Sequence, residues 1–267
     1  MKLGKPVLRI ALLWLAALLA GPAQAGADTP AEPGGAVRLL ASGAFSAVHE
    51  QLASDYRKLG VDVTATFGPA MYSVPTSVPR RLEGGEAADV VLTSKAALAK
   101  LAAQGLVAAD SQVDIMKSSL GMAVRSGSPI PQIATQAQTA AVLLRAESVA
   151  YSSSLSGTYY ATEMLKQMGI EDRVLPKSRK ISGEKVGAVV ARGEAEIGIQ
   201  QVSEILAVPG VVLVGKLPES IQRHTVFSAA ISSSARNPQG ARALIAFLAR
   251  SPQAHEVLKK NGLAPAE

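Results

Sequence analysis

The sequence predicts an α/β fold in which sheets are wrapped by helices on both faces. Short apolar runs of strand length alternate along the chain with apolar stripes at helical spacing. Glycine, or a Ser, Thr or Asn cap, marks most of the changeovers. About 240 residues remain after an N-terminal leader, enough for one large domain or for two lobes of about a hundred residues each.

Lys2, Lys5 and Arg9 precede an apolar run from Ile10 to Ala20, and Ala23-Gln24-Ala25 supplies the small residues a signal peptidase needs. Residues 1–25 therefore read as a signal peptide. The run holds about eleven apolar residues, where a membrane span needs about twenty. Export to a periplasm is expected, with no membrane anchor. The chain has no Cys, so neither a lipid-modified cysteine nor a disulfide is available. Loss of the leader takes the 27 basic residues to 24 against 21 acidic ones, a balance that argues against a nucleic-acid surface. Residues 26–35, rich in Pro, Gly and Ala, read as a flexible leader.

Val37 to Ala41 reads as the first strand, turned by Ser42-Gly43. A helix follows, with Phe45, Val48, Leu52, Tyr56 and Leu59 as its stripe and Gly60 as its stop. His49, in the second turn of that helix, is expected on the surface. Val61 to Phe67 is the second strand, ended by Gly68-Pro69 and a Ser/Pro-rich passage. Arg80 to Glu83 reads as a helix end before Gly84-Gly85, and Asp89 to Leu92 as a buried strand. Thr93-Ser94 caps a helix carrying Leu98, Leu101 and Ala102. Gly121 to Val124 is a strand passing from one sheet towards the next, and a helical region lies between Thr135 and Ala146. Further on, Ser182 starts a helix over 183–193, Ile197 to Ile199 is a strand, Val202 to Leu206 is helical, and Thr225 to Ile231 is a return strand. Asn237-Pro238 and Ser251-Pro252 each start a C-terminal helix, in the cap and first-turn positions.

The stretch of most chemical interest is VAYSSSLSGTYYATEML, Val149 to Leu165. A strand, a loop of hydroxyls and a helical stripe of Ala161, Met164, Leu165 and Met168 follow one another. Hydroxyls and the unpaired N–H groups of a helix's first turn converge where the helix dipole is positive, so an anion is stabilised there. A lone serine N-cap accounts for one of the four serines only. In α/β sheets ligands sit beyond the carboxyl ends of the strands. That rule adds Ser42-Gly43, Gly68 with Tyr72 and Ser73, and Thr93-Ser94 to the candidate loops. Gln200 and Gln201, at another strand end, carry amides that donate to an acidic ligand and accept from its hydroxyls. Tyr72, Tyr151 and His49 are the candidate bases, and Lys177, Arg179 and Lys180 the candidate partners of carboxylates. The absence of HExxH, GxSxG and a P-loop leaves hydrolase and nucleotide chemistry unsupported, and the scattered histidines argue against a metal site.

The segments LLASGAF, RRLEGGEAADVVLTS, SLSGTYYATEML and VGAVVARGEAEIGIQQVSEI resemble the molybdate-type branch of periplasmic substrate-binding proteins, the solute receptors of ABC transporters. The resemblance runs through nearly the whole chain after the leader. It implies a type II periplasmic-binding-protein fold: two lobes, each a doubly wound sheet, joined by two crossing strands and closing on a ligand by hinge motion. The lobes would be 36–123 with 225–267, and 124–224. A monomer that binds a small anion without cofactor or metal, and that meets an ABC transporter permease, is the expectation. Ser156, Gly157 and Val186 keep the family pattern. The loop FGPAMYSVPTSVP is longer than the serine-rich turn of the metal-oxyanion binders, Gln201 stands where they carry a tyrosine, and Ala44 stands near where they carry a serine. These departures suit a larger organic anion, a di- or tricarboxylate, better than molybdate. FGPAM, AYSSSLSGTYY and IGIQQVSEI resemble an offshoot of the family that includes an exported isomerase of aconitate. The binding residues so expected are Ser42, Gly43, Tyr72, Ser73 and Thr93 from the first lobe, and Tyr151, Ser152, Ser156, Gly157, Thr158, Gln200 and Gln201 from the second.

Overall fold

The computed structural model describes Met1, residues 35–72 and residues 74–266. Residues 2–34, on which the expected signal peptide and leader fall, together with Ser73 and Glu267, lie outside the described residues.

Two sheets organise residues 33–267, which form one compact unit. The first has the order β11-β4-β10-β3-β1-β2. In it β1 (Gly35–Ser42), next to the edge, pairs in parallel with β2 (Val61–Gly68) and β3 (Val90–Ser94). β10 (Thr225–Ile231) runs antiparallel between β3 and β4 (Val113–Ser118), and β11 (Leu263–Pro265) adds an antiparallel edge. The second sheet has the order β7-β6-β8-β5-β9. In it β6 (Val149–Ser152) is parallel to β7 (Ser178–Ile181) and β8 (Ile197–Gln201), and β5 (Leu120–Arg125) is antiparallel to β8 and β9 (Val211–Lys216). Both sheets are thus mixed. The strands that return from the opposite lobe, β10 and β5, enter in the reverse direction.

Each sheet is covered on both faces, because successive strand residues point to opposite sides. Leu39 packs with Phe45, Val48 and Leu52 of the β1–α1 region, where α1 is Ser46–Lys58, and with the C-terminal helices. Leu40 faces the other way, towards Leu82 of α2 (Val78–Glu83) and Leu98 and Leu101 of α3 (Lys95–Ala103). In the second sheet Met122 and Ile199 meet Leu143 of α4 (Gln136–Arg145) and Tyr160, Met164 and Leu165 of the helix after β6. That helix comprises α5 (Leu155–Tyr159), a π-helical turn over Tyr160–Met164 and α6 (Leu165–Gln167). A one-turn α7 (Glu171–Val174) follows. The opposite face receives Val186, Val189 and Val190 of α8 (Val186–Ala191).

The expected caps are in place: Ser94 Oγ accepts from Ala97 N, and Thr135 and Gln138 form a capping box at α4. Asn237 caps α10 (Pro238–Arg250) and Ser251 caps α11 (Pro252–Lys260). Asp89 explains the AAD of the EGGEAAD segment as structure. Its carboxylate takes a two-point contact from the Arg38 guanidinium at 2.8 and 3.0 Å, and accepts from the backbone N–H groups of Arg38, Arg236 and Asn237. One buried side chain thus ties β1 to β3 and to the start of α10. Burial alone would raise its pKa, but these donors outweigh burial and hold it well below the usual carboxylate range.

Two expectations are corrected. α8 starts at Val186 and not at Ser182, because Gly183 takes a left-handed φ of 82° and keeps 182–185 out of the helix. His49 is half-buried instead of lying on the surface. Its ring sits 5.8 Å from Phe67 and 5.6 Å from Tyr56, and burial lowers its pKa.

The chain passes from sheet to sheet at Ser119, between β4 and β5, and returns through residues 217–224 into β10. Polar side chains stitch these passages together. Gln222 accepts from Leu120 N at 2.7 Å and donates to the carbonyls of Leu120 and Leu217. Ser119 Oγ lies 3.1 Å from His224 Nδ1.

Candidate functional site

The carboxyl ends of β1, β2, β6 and β8 converge on a cavity of about 420 Å³ between the two sheets, a size that suits a small-molecule site. From the first sheet come Ser42, Gly43, Ala44, the Phe67-Gly68-Pro69-Ala70 run, Thr76 and Phe227. The second contributes Ser152, Ser153, Ser154, Leu155, Ile181, the Gly183-Glu184-Lys185 loop, Gln200, Gln201 and Glu204.

The serine loop is built as a closed set of hydroxyls. Ser152 Oγ lies 2.8 Å from both Ser154 Oγ and Ser156 Oγ, and those two are 3.3 Å apart. Ser152 and Ser154 line the cavity, while Ser156, 1 % exposed, backs them. Ser154 occupies the N-cap of α5 without making a side-chain cap bond. A hydroxyl rotates to suit its partner, so this set can turn donors towards an anion. Gly157 acts through the backbone instead. A β-carbon there would fall on the Ser152 carbonyl, so only glycine lets α5 start so close to the end of β6. Gly68 likewise lets the following loop fold back, since a β-carbon would lie 2.5 Å from the Thr76 carbonyl oxygen.

The adjacent glutamines divide their work. Gln200 Oε1 accepts from Val186 N at 2.9 Å and so fixes the entry to α8. Gln201 Oε1 accepts from Ser118 Oγ at 2.7 Å and its Nε2 donates to Thr225 Oγ1 at 3.3 Å, which commits that amide to the crossing strands.

Of the expected residues, Ser42, Gly43, Ser152, Gln200 and Gln201 line the cavity together. Thr93 Oγ1 donates to the Ala70 carbonyl at 3.1 Å, holding the loop after β2 from behind. Tyr72 packs its ring against Arg80 and Lys100, 5.3 and 5.4 Å from the ring centre. The Tyr151 ring lies 5.1 Å from that of Tyr160. Thr158 Oγ1 donates to Met71 Sδ, at 3.9 Å, between the two lobes. None of these four lines the cavity, and neither does His49. Lys177 Nζ donates to the carbonyls of Leu144 and Ala146, and Arg179 pairs with Glu194 at 3.0 Å; with Lys180 they stand away from it.

Lys185 and Glu204 carry the charge that sequence reading passed over. Lys185 is the basic side chain among the described residues of the lining. Glu184 beside it is engaged by Arg192 at 2.9 and 3.1 Å. Glu204 belongs to α9 (Val202–Leu206), which packs against the turn after β1; its Oε1 lies 3.5 Å from where a β-carbon of Gly43 would stand. Its Oε2 is shut off from solvent and has no hydrogen-bond partner. Burial pushes the Glu204 pKa up from 4.5 to about 7, against the opposing pull of the Gln200 amide and the Lys185 ammonium. The sequence offers only a weak signal for it, a lone acid in the largely apolar VSEIL a few residues beyond a strand end.

A doubly wound, two-lobed fold with a donor-lined cavity between its lobes defines a solute-binding protein. The chain belongs to that class: the family of bacterial extracellular solute-binding proteins matches residues 37–264. Among individual relatives, an aconitate isomerase of Pseudomonas sp is 42 % identical over 243 residues, covering 90 % of this chain and 92 % of the relative. The molybdate-binding protein ModA of Escherichia coli (strain K12) is 24 % identical over 246 residues, 85 % of this chain and 88 % of the relative. The periplasmic molybdate-binding protein of Azotobacter vinelandii shares the fold, with a TM-score of 0.69 and 19 % identity over 86 % of this chain and all (100 %) of that one. The molybdate-type branch and its aconitate isomerase offshoot, expected from the motifs, are therefore where this chain lies. Among the described residues no helix is long and apolar enough to cross a membrane.

Proposed function

We propose that this protein is a periplasmic isomerase that interconverts trans- and cis-aconitate in the cavity between its lobes. The observation that carries the proposal is the small set of hydroxyl and ammonium groups placed on the otherwise largely apolar wall of that cavity. Ser42, Ser152, Ser154 and Lys185 line a space large enough for a tricarboxylate. Hydroxyl and ammonium donors suit carboxylates, and in a desolvated site they also stabilise the enolate-like charge that develops when a proton leaves the adjacent carbon. The similarity to an aconitate isomerase along 92 % of its length supports the same substrate. Departures from the molybdate-type loops, the longer FGPAMYSVPTSVP segment among them, favour an organic anion over a metal oxyanion.

Incubation of purified protein with trans-aconitate, followed by chromatographic separation of the isomers, tests this. Formation of cis-aconitate supports the proposal. Tight binding without conversion overturns it in favour of the second reading, a receptor that hands a tricarboxylate to an ABC transporter permease, which the family membership favours. Stabilisation by molybdate alone would overturn both.

A further inference from the structure

From the geometry we infer that Glu204 is the group that moves the proton. The inference rests on the isomerase reading and goes beyond it by assigning the chemistry to a side chain. An allylic isomerase must take a proton from a carbon that carries a carboxylate, and must return one two carbons away. The charged side chains of the described lining are Glu184, Lys185 and Glu204. Arg192 occupies both carboxylate oxygens of Glu184. Lys185 is suited to meet a substrate carboxylate. Glu204 alone lines the cavity with a carboxyl that keeps one oxygen, the enclosed Oε2, without a protein donor. In a folded protein a buried, unpaired carboxyl oxygen is a cost that packing does not explain. The other Glu204 oxygen, Oε1, lies beside Gly43 on the cavity wall, 3.5 Å from where a β-carbon of that glycine would stand.

The step balances within the substrate and this one residue. The Glu204 carboxylate takes a proton from the methylene carbon of aconitate. The C–H electron pair becomes the new carbon–carbon double bond, and the old π pair moves to the former vinylic carbon. Meanwhile the excess charge spreads onto the substrate carboxylates held by the serine hydroxyls and Lys185. The Glu204 carboxyl then gives its proton to the former vinylic carbon and is a carboxylate again. A carboxyl poised near neutrality serves both halves of that exchange better than one that stays ionised. The groups facing it are Lys185 ahead of α8, Gln200 at the end of β8, and the uncharged turn Gly43–Phe45.

Glu204→Gln keeps the shape and removes the base. With the wild-type protein turning over trans-aconitate, the variant should lose at least about 100-fold in kcat, the scale of a missing general base. Tricarballylate, the saturated analogue that cannot react, should raise the melting temperature of both proteins equally. Glu204→Asp should retain measurable turnover. The wild-type kcat/KM should rise with pH towards a plateau above about 7, a limb absent from the residual activity of the glutamine variant. A glutamine variant within threefold of wild type, or one that no longer binds tricarballylate, overturns the assignment of Glu204 while leaving the isomerase reading intact. Absence of turnover in the wild type overturns that reading first.

Discussion

Replacing Glu204 with glutamine should remove a loss of stability that the wild-type protein suffers between about pH 4 and pH 8. The folded-state pKa is raised from 4.5 to about 7, because the carboxylate would be buried with one oxygen unpaired. The stabilising contribution of a raised acid is fully present below its unfolded pKa and is lost as pH rises through the folded one. At pH 4 both states hold the proton and the group costs little. At pH 8 the folded protein must either keep a proton the solvent would take or bury a charge. A difference from 4.5 to about 7 corresponds to about 3 kcal/mol, an upper figure because part of the residue reaches solvent. For a chain of this size that is roughly 6 to 12 °C in Tm, at about 2 to 4 °C per kcal/mol. Ligand-free melts followed by circular dichroism, at matched ionic strength, measure it. The Tm advantage of the variant over wild type should widen by that amount from pH 4 to pH 8. A difference that stays constant across the range would refute the burial of an unsatisfied carboxyl at this position.

Three further outcomes follow from the contacts described. Asp89→Ala strips β1, β3 and the start of α10 of a shared anchor and leaves Arg38 unpaired, so urea unfolding should show a loss of about 3 to 5 kcal/mol. Because the Asp89 pKa is lowered on folding, the wild-type share of that stability should fade as pH drops into the acid range, and the variant should lack that dependence. Combined Ser152→Ala and Ser154→Ala removes two hydroxyl donors, each worth about 1.5 to 3 kcal/mol to a carboxylate; calorimetry should record at least a hundredfold weaker tricarballylate binding, and urea unfolding a loss of about 1 to 3 kcal/mol because the buried Ser156 hydroxyl loses both partners. Gly157→Ala, which must push α5 off the end of β6, should lower both Tm and ligand affinity, read by melts with and without tricarballylate.

Much of the architecture was legible because it obeys local rules. The stripes of α1, α3 and α10, their caps at Ser94 and Asn237, and the buried strands β1, β3 and β6 are fixed by period and punctuation close in sequence. Strands β4, β7, β9 and β11 escaped notice. SRKI of β7 is largely polar, and LAP of β11 is only three residues long, so neither carries an apolar run that stands out; their pairing comes from the sheet edge beside them. The loops at the strand ends could be chosen from topology, which is why Ser42, Gly43, Ser152 and Gln200 were in reach. What each polar group there is committed to could not be read, since its partner is distant in sequence. Gln201 is spent on Ser118 and Thr225, and Thr93 on Ala70. Glu204 was hidden for the same reason: its environment is made by Gly43, far away along the chain, and not by its neighbours in VSEIL.

The most direct measurement is the time course of cis-aconitate appearing from trans-aconitate with wild-type protein and with the Glu204→Gln variant, both first shown to bind tricarballylate. Steady conversion by the wild type and at least about a hundredfold less by the variant is the predicted result. Equal conversion by the two proteins, or none by the wild type, would contradict it.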